Sequence, residues 1–157
     1  MEGRAQHIRA ITQQLRIVFR AVQAHSKYVE KQCGLSSAKL WMLYELDSNP
    51  DIKVSQLAAA LAIHPSTCSN MLDKLEEDGF VHRRRSTTDQ RAVHLSLTEQ
   101  GSSLLLNAPK PAQGELSGAL EKISDEHLAL LEKSLHELIQ ALTSKNESAG
   151  IFPMVGE

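Results

Sequence analysis

The sequence predicts a mainly α-helical fold carrying one short β-hairpin, and three observations predict it. Apolar residues recur at spacings of three and four near both ends of the chain, as on helices that pack along a narrow seam. A short amphipathic stretch opens at Pro65 and closes at Gly79, residues suited to a helix start and a helix stop. After it, Val93, Leu95 and Leu97 alternate with His94 and Ser96, the period of a half-buried strand.

Along residues 4–33, Ile8, Ile11, Leu15, Val18, Val22, His25 and Val29 form a heptad-type seam on one long helix that Gly34 terminates. Such a seam packs against the chain's own body or against a second subunit; the second is expected here. Ser36 or Ser37 caps the next helix, residues 38–46, in which Leu40, Trp41, Met42, Leu43, Tyr44 and Leu46 leave almost no polar face. That helix is expected to be buried. The cluster Asp47, Ser48, Asn49, Pro50 and Asp51 is a turn, and Ser55 is expected to cap a short Ala-rich helix over residues 56–61. Its small side chains would let a neighbouring helix approach closely, with Ile63 and His64 in the turn between the two.

The helix that starts at Pro65 has two distinct faces. On a wheel of 100° per residue, Cys68, Met71, Leu72 and Leu75 fall on one side; Ser66, Asn70 and Asp73 fall opposite, flanked by Thr67, Ser69 and Lys74. An ordinary solvated face would carry more Lys and Glu. Short hydrogen-bonding side chains at a helix N-terminus suit base edges and phosphates. Phe80 and Val81 then begin a strand, and Arg83, Arg84, Arg85, Ser86, Thr87, Thr88, Asp89, Gln90 and Arg91 lead into a polar, turn-prone loop. Net charge is −2, yet residues 81–97 hold four arginines against one aspartate, a local charge of +3. Helix, turn, helix and basic hairpin together make a winged helix-turn-helix.

Beyond the hairpin, Thr98 is a good N-cap for a helix through Leu104, Leu105 and Leu106, which Asn107, Ala108, Pro109, Lys110 and Pro111 interrupt. A kink or break is expected near Pro109. Helical spacing resumes at Leu116, Leu120 and Ile123, and Ser124 caps a last helix with Asp125 and Glu126 in its first turn. Leu128, Leu131, Leu135, Leu138 and Leu142 repeat the 3, 4 spacing of the first helix. Two such seams imply a two-fold dimer in which both terminal helices meet their counterparts. The expected organisation is therefore a dimerisation helix over 1–34, a winged helix-turn-helix lobe over 35–100, and helices over 101–145 that complete a helical dimerisation lobe. Residues 146–157 lack periodicity and are expected to be mobile, with Ile151, Phe152 and Met154 available to dock.

The block LAAALAIHPSTCSNMLDKLEEDGFVHRRRSTTDQRAVHLSLTEQG, residues 57–101, resembles the MarR (multiple antibiotic resistance regulator) family. The resemblance runs from about Leu35 to Gly101, with weaker helical similarity on both sides. Its most specific parts are Asp89-x-Arg91 and Leu97-Thr98-Glu99-x-Gly101. It implies a dimeric DNA-binding regulator, more often a repressor, that answers to a small molecule or a redox signal. It implies one long helix between lobes, where this chain carries its prolines. By resemblance, Arg91 approaches the minor groove and Asp89 orients wing arginines by ion pairing, while Gln90 stands where the family often has another basic residue. The implied effector pocket lies between the first helix, the buried second helix and the helix after the wing. Val22, His25, Trp41 and Tyr44 are candidate lining residues, and their plainer reading is core or seam packing.

The expected partners are double-stranded DNA bearing an approximate inverted repeat, a second copy of the chain and a small-molecule effector. Ser66, Thr67, Ser69 and Asn70 are candidates for base edges and nearby phosphate, Asn70 either pairing with adenine or merely capping and solvating its helix. Lys74, Arg83, Arg84 and Arg85 are candidates for phosphate, or form a solvated charge run. No motif places a nucleophile beside a base or a Gly-rich loop beside phosphate, so no enzyme and no cofactor are expected. The histidines lack ligand spacing, the nearest pair being His127 and His136, so no metal site is expected. The N-terminal residues MEGRAQHIRA lack the apolar core of a signal peptide, and the longest apolar run, residues 57–63, is too short for a membrane span. A cytoplasmic protein is expected, in keeping with Cys33 and Cys68, which form no CxxC pair. Two alternatives stand beside this reading: a winged-helix module that binds protein, and a redox-responsive regulator using Cys33.

Overall fold

The computed structural model describes residues 2–85, 88, 93–143 and 145–154. Its elements run α1 (Glu2–Cys33), α2 (Ser37–Ser48), α3 (Val54–Ala60), α4 (Pro65–Glu77), β1 (Val81–Arg85), β2 (Val93–Leu97), α5 (Glu99–Asn107), α6 (Glu115–Leu120) and α7 (Asp125–Ala141). A 3-10 turn, Glu147–Ile151, follows. The mainly helical fold with one antiparallel hairpin is the class that the periodicities predict.

Helix α2 is the centre of the core. With both of its faces apolar it can be satisfied only inside the protein: Leu40, Met42 and Leu43 are fully buried, and the helix packs against α1, α3, α5 and β2. Leu57, Met71, Leu72, Leu75, Val81, Leu95 and Leu105 close around it, an aliphatic core as six aromatic residues require. Ser36 supplies the cap, its Oγ accepting from the Lys39 N–H at 3.3 Å. The start of α3 differs from expectation. Gln56 reaches back so that its Oε1 accepts from the Lys53 N–H at 3.0 Å, which lets the helix begin at Val54 and places Ser55 inside it. Of the alanines 58–60 only Ala58 is buried.

Helix α1 is about 48 Å long at the usual rise per residue. Its seam divides into two parts. Val29 is fully buried against the core, whereas Ile8, Ile11, Leu15 and Val18 are between 43% and 55% exposed. The same holds for α7, where Leu131, Leu135, Leu138 and Leu142 are between 38% and 50% exposed and no residue is buried. The protomer leaves both seams largely uncovered.

The helix after the hairpin breaks where the prolines predict. It ends at Asn107, and a connector of seven residues, 108–114, leads to α6. The connector is packed, with Ala108 and Ala112 buried, and α6 lies against α1. Residues 147–154 take the docked alternative through Ile151. Instead of running free, this segment folds back so that the Ile151 carbonyl accepts from the His64 N–H at 3.0 Å. His64 precedes α4, and its amide lies outside the helical ladder, so it has a hydrogen bond to give.

Candidate nucleic-acid interface

The N-terminus of α4 is built by His64 and Pro65. Pro65 presets the first helical φ, and His64 is the N-cap, its Nδ1 accepting from the Ser66 N–H at 3.1 Å. The same Nδ1 lies 2.6 Å from the Ser66 Oγ, so the first outward-facing hydroxyl is held by the cap. Cys68, Met71, Leu72 and Leu75 are buried to within 2% and lock the rotation of the helix. Ser66, Asn70, Asp73 and Lys74 are consequently exposed, with Thr67 and Ser69 half-buried at the flanks. The helix ends in a Schellman turn: the Gly79 N–H bonds to the Glu76 carbonyl, the Phe80 N–H to the Leu75 carbonyl, and Gly79 takes φ +84°.

The hairpin sorts the arginines by parity. Val81 pairs with Leu97, Arg83 with Leu95 and Arg85 with Val93, so Arg83 shares the inward face of the fully buried Val81. There it turns toward α4 and ion-pairs with Asp73, and its Nε lies 3.9 Å from a Glu76 carboxylate oxygen. Its backbone N–H donates to Glu76 at 3.1 Å. Arg83, a candidate for phosphate with its neighbours, also fastens the hairpin to the recognition helix. Arg84 and Arg85 are exposed, and parity places Arg84 on the outward face with His82, His94 and Ser96. Lys74 lies 3.8 Å from Glu77 and 4.0 Å from Asp78, exposed pairs that leave its ammonium near solvent. Asp89, Gln90 and Arg91 lie outside the described residues.

These features place an exposed, short-chained polar face and two exposed arginines on one winged helix-turn-helix. A family model described as the MarR family matches residues 35–93. The chain is 34% identical to the organic hydroperoxide resistance transcriptional regulator of Bacillus subtilis over 107 residues, 68% of this chain and 69% of that protein. It is 32% identical to the transcriptional repressor YetL of the same organism over 112 residues, 70% of this chain and 67% of that protein. The chain belongs to the MarR family. The match to the repressor MdtR of Bacillus subtilis, 34% identical over 88 residues, spans 55% of this chain and 56% of that relative, little more than half of each. Among solved structures, FabT of Streptococcus pneumoniae in complex with DNA superposes with a TM-score of 0.57 at 24% identity, covering 85% of this chain and 95% of that one. A MepR-like protein complexed with pseudoligands gives 0.60 at 20%, covering 84% and 93%. At these identities the likeness is one of fold.

Membership of the MarR family makes this chain a transcriptional regulator with a winged-helix fold. The Leu97-Thr98-Glu99-x-Gly101 motif then has a physical explanation. Thr98 Oγ1 accepts from the Gly101 N–H at 2.9 Å and donates to the Gly79 carbonyl at 2.7 Å, while the Thr98 N–H bonds to the Phe80 carbonyl at 3.1 Å. One residue caps α5 and clamps it to the exit of α4. Gly101 is required by that contact, because a Cβ there would stand 2.2 Å from the Phe80 carbonyl oxygen.

Behind the helix-turn-helix lies a cavity of about 250 Å³. Val22, His25 and Trp41 line it, as does Glu115 of α6. Tyr44, expected beside them, packs against the hydrophobic core and is not in the lining. The turn at Leu61, Ala62 and Ile63 and the segment Phe152, Pro153 and Met154 also line it, with the hydroxyls of Ser26, Ser37 and Ser117 among an otherwise mainly apolar wall. His25 Nδ1 is 3.9 Å from a Glu115 oxygen, and its buried Nε2 has no hydrogen-bond partner. Cys68 is fully buried, which pushes its thiol up to about 11 against an opposing pull from Arg83. Burial also raises the Cys33 thiol, which disfavours the thiolate. No helix among the described residues is long and apolar enough to cross a membrane.

Proposed function

We propose that this chain is a cytoplasmic homodimeric repressor that reads an approximate inverted repeat with two copies of α4 and leaves DNA when a small ligand fills the cavity. The observation that carries this reading is the exposed N-terminal face of α4, where Ser66, Thr67, Ser69 and Asn70 project from a helix whose opposite face is fully buried. Such a face fits the major groove, and Asn70 has the donor and acceptor to pair bidentately with adenine. Lys74, Arg84 and Arg85 would meet phosphates, as would Arg83 with whatever of its guanidinium its acids leave exposed. Gln90 and Arg91 would extend the wing toward the minor groove, with Asp89 orienting it.

Dimerisation accounts for the uncovered seams of α1 and α7. Residues 1–34 and 101–145 form the dimerisation lobe in this reading, and residues 35–100 the reading head. Cavity and head share the turn at Ala62 and Ile63, so a ligand with different affinities for two head spacings must exchange free energy with DNA. Selection of bound duplexes from a random pool tests the proposal. The expected product is an inverted repeat with half-sites about one helical turn, ~34 Å, apart. Recovery of unrelated sequences, or binding insensitive to salt, would overturn it in favour of a protein-binding module.

A further inference from the structure

Among the described residues, the segment after α7 joins the turn at Leu61–Ile63 in reaching both the cavity and the cap of the recognition helix. Phe152, Pro153 and Met154 form a wall of the cavity, and the residue just before them, Ile151, accepts the His64 N–H at 3.0 Å. His64 in turn caps α4 and holds the Ser66 hydroxyl through Nδ1. A continuous chain of contacts thus leads from the cavity wall to the first side chain of the proposed reading face. The same cavity carries a second, independent feature. His25 has a side chain 8% exposed whose Nε2 is buried without a partner, in a cavity otherwise lined largely by apolar groups such as Val22, Trp41 and Leu116. Burying a ring nitrogen unpaired costs free energy that a bound polar group would recover.

We infer that residues 150–154 are a strap that closes the cavity and transmits its occupancy to α4, and that the cavity takes a small apolar ligand with one hydrogen-bonding group directed at His25 Nε2. The inference rests on the ligand control proposed above and adds the element that carries it. A ligand lying between His25 and Phe152 presses on or draws in the strap. The Ile151 to His64 bond then moves with it, and the N-cap of α4 with that bond.

Trp41 is the only tryptophan in the chain and lines the cavity that the strap also lines, so its emission reports on exposure of that cavity. The probe is 8-anilinonaphthalene-1-sulfonate, an apolar body with one anionic head. Full-length protein is compared with a variant stopping after Asn146 and with Phe152→Ser, which keeps the strap backbone should the shorter chain fail to fold. Helical circular dichroism and oligomeric mass serve as controls. With the strap removed or weakened, acrylamide quenching of Trp41 is expected to rise at least twofold. Affinity for the probe should fall at least fivefold. Binding of the selected duplex should respond to the probe in the full chain and lose most of that response in the variants. Unchanged quenching in both variants would overturn the strap. A probe effect on DNA binding equal in all three proteins would also overturn it, and would leave ligand control standing. A probe that binds beside Trp41 in the full chain without altering DNA affinity would sink ligand control itself, and the strap's role with it.

Discussion

At the scale of single residues, the consecutive arginines of β1 show how alternation divides one run of charge into two tasks. Arg83 shares its face with Val81 and is held by Asp73 and Glu76, whereas Arg84 points the other way into solvent. Arg83→Ala is therefore expected to lower stability by about 1 kcal/mol, a small figure because both acids are exposed. Arg84→Ala should leave stability unchanged and reduce the slope of log affinity against log salt by about 1. Urea denaturation and salt titration of DNA binding, run on both variants, check the division. Cys68 gives a pH expectation. Burial pushes its thiol up to about 11 in the folded chain, above the ordinary thiol range, so folding favours the neutral form. The resulting stability is complete below pH 9 and is lost as pH rises toward 11. A Cys68→Ala chain should lack that particular decline between pH 9 and 11 in denaturation midpoints.

At the scale of elements, a Schellman turn ends each helix of the helix-turn-helix. The one after α4 uses glycine; the one after α3 places Ala62 at φ +54°, with the Ile63 N–H bonding to the Ala58 carbonyl at 3.0 Å. A Cβ in that conformation costs roughly 1–2 kcal/mol, part of which glycine returns as chain entropy. Ala62→Gly is expected to stabilise by about 0.5 to 1 kcal/mol. Gly101→Ala should do the reverse, by about 1 to 3 kcal/mol, because the methyl meets the Phe80 carbonyl in the clamp that Thr98 closes. Thermal melts of the two variants should move in opposite directions. Much at this scale was legible in the chain. Pro65 and Gly79 marked α4, Thr98 and Ser124 were caps, and the prolines at 109 and 111 broke the long helix. The start of α3 was not, because Gln56 competes with Ser55 for the role of cap and only the folded backbone decides between them.

At the scale of the whole molecule, the seams of α1 and α7 are apolar stripes that one protomer leaves exposed. Contiguous exposed stripes of this kind mark surfaces that a partner covers. Leu15→Arg or Leu135→Glu is expected to convert a dimer to monomer and to weaken operator binding at least a hundredfold, since one head cannot gain from the second half-site. Analytical ultracentrifugation gives the first outcome and DNA titration the second; a dimer that survives both substitutions would place the interface elsewhere.

Periodicity, caps and breakers are local properties, and from them the sequence alone determined the helical class, the hairpin, the buried α2 and the two faces of α4. Contacts between residues far apart in the chain belong to the tertiary structure. It decided that Arg83 braces a hairpin, that Tyr44 joins the core while Trp41 lines a cavity, and that residues 147–154 return to His64. The segment at 147–154 read as mobile because it has no period, and period reports only how an element buries itself against a uniform neighbour. A strap held by one backbone hydrogen bond and a few apolar side chains leaves no such record, since its partner amide, 87 residues earlier, becomes its neighbour only once the fold has formed.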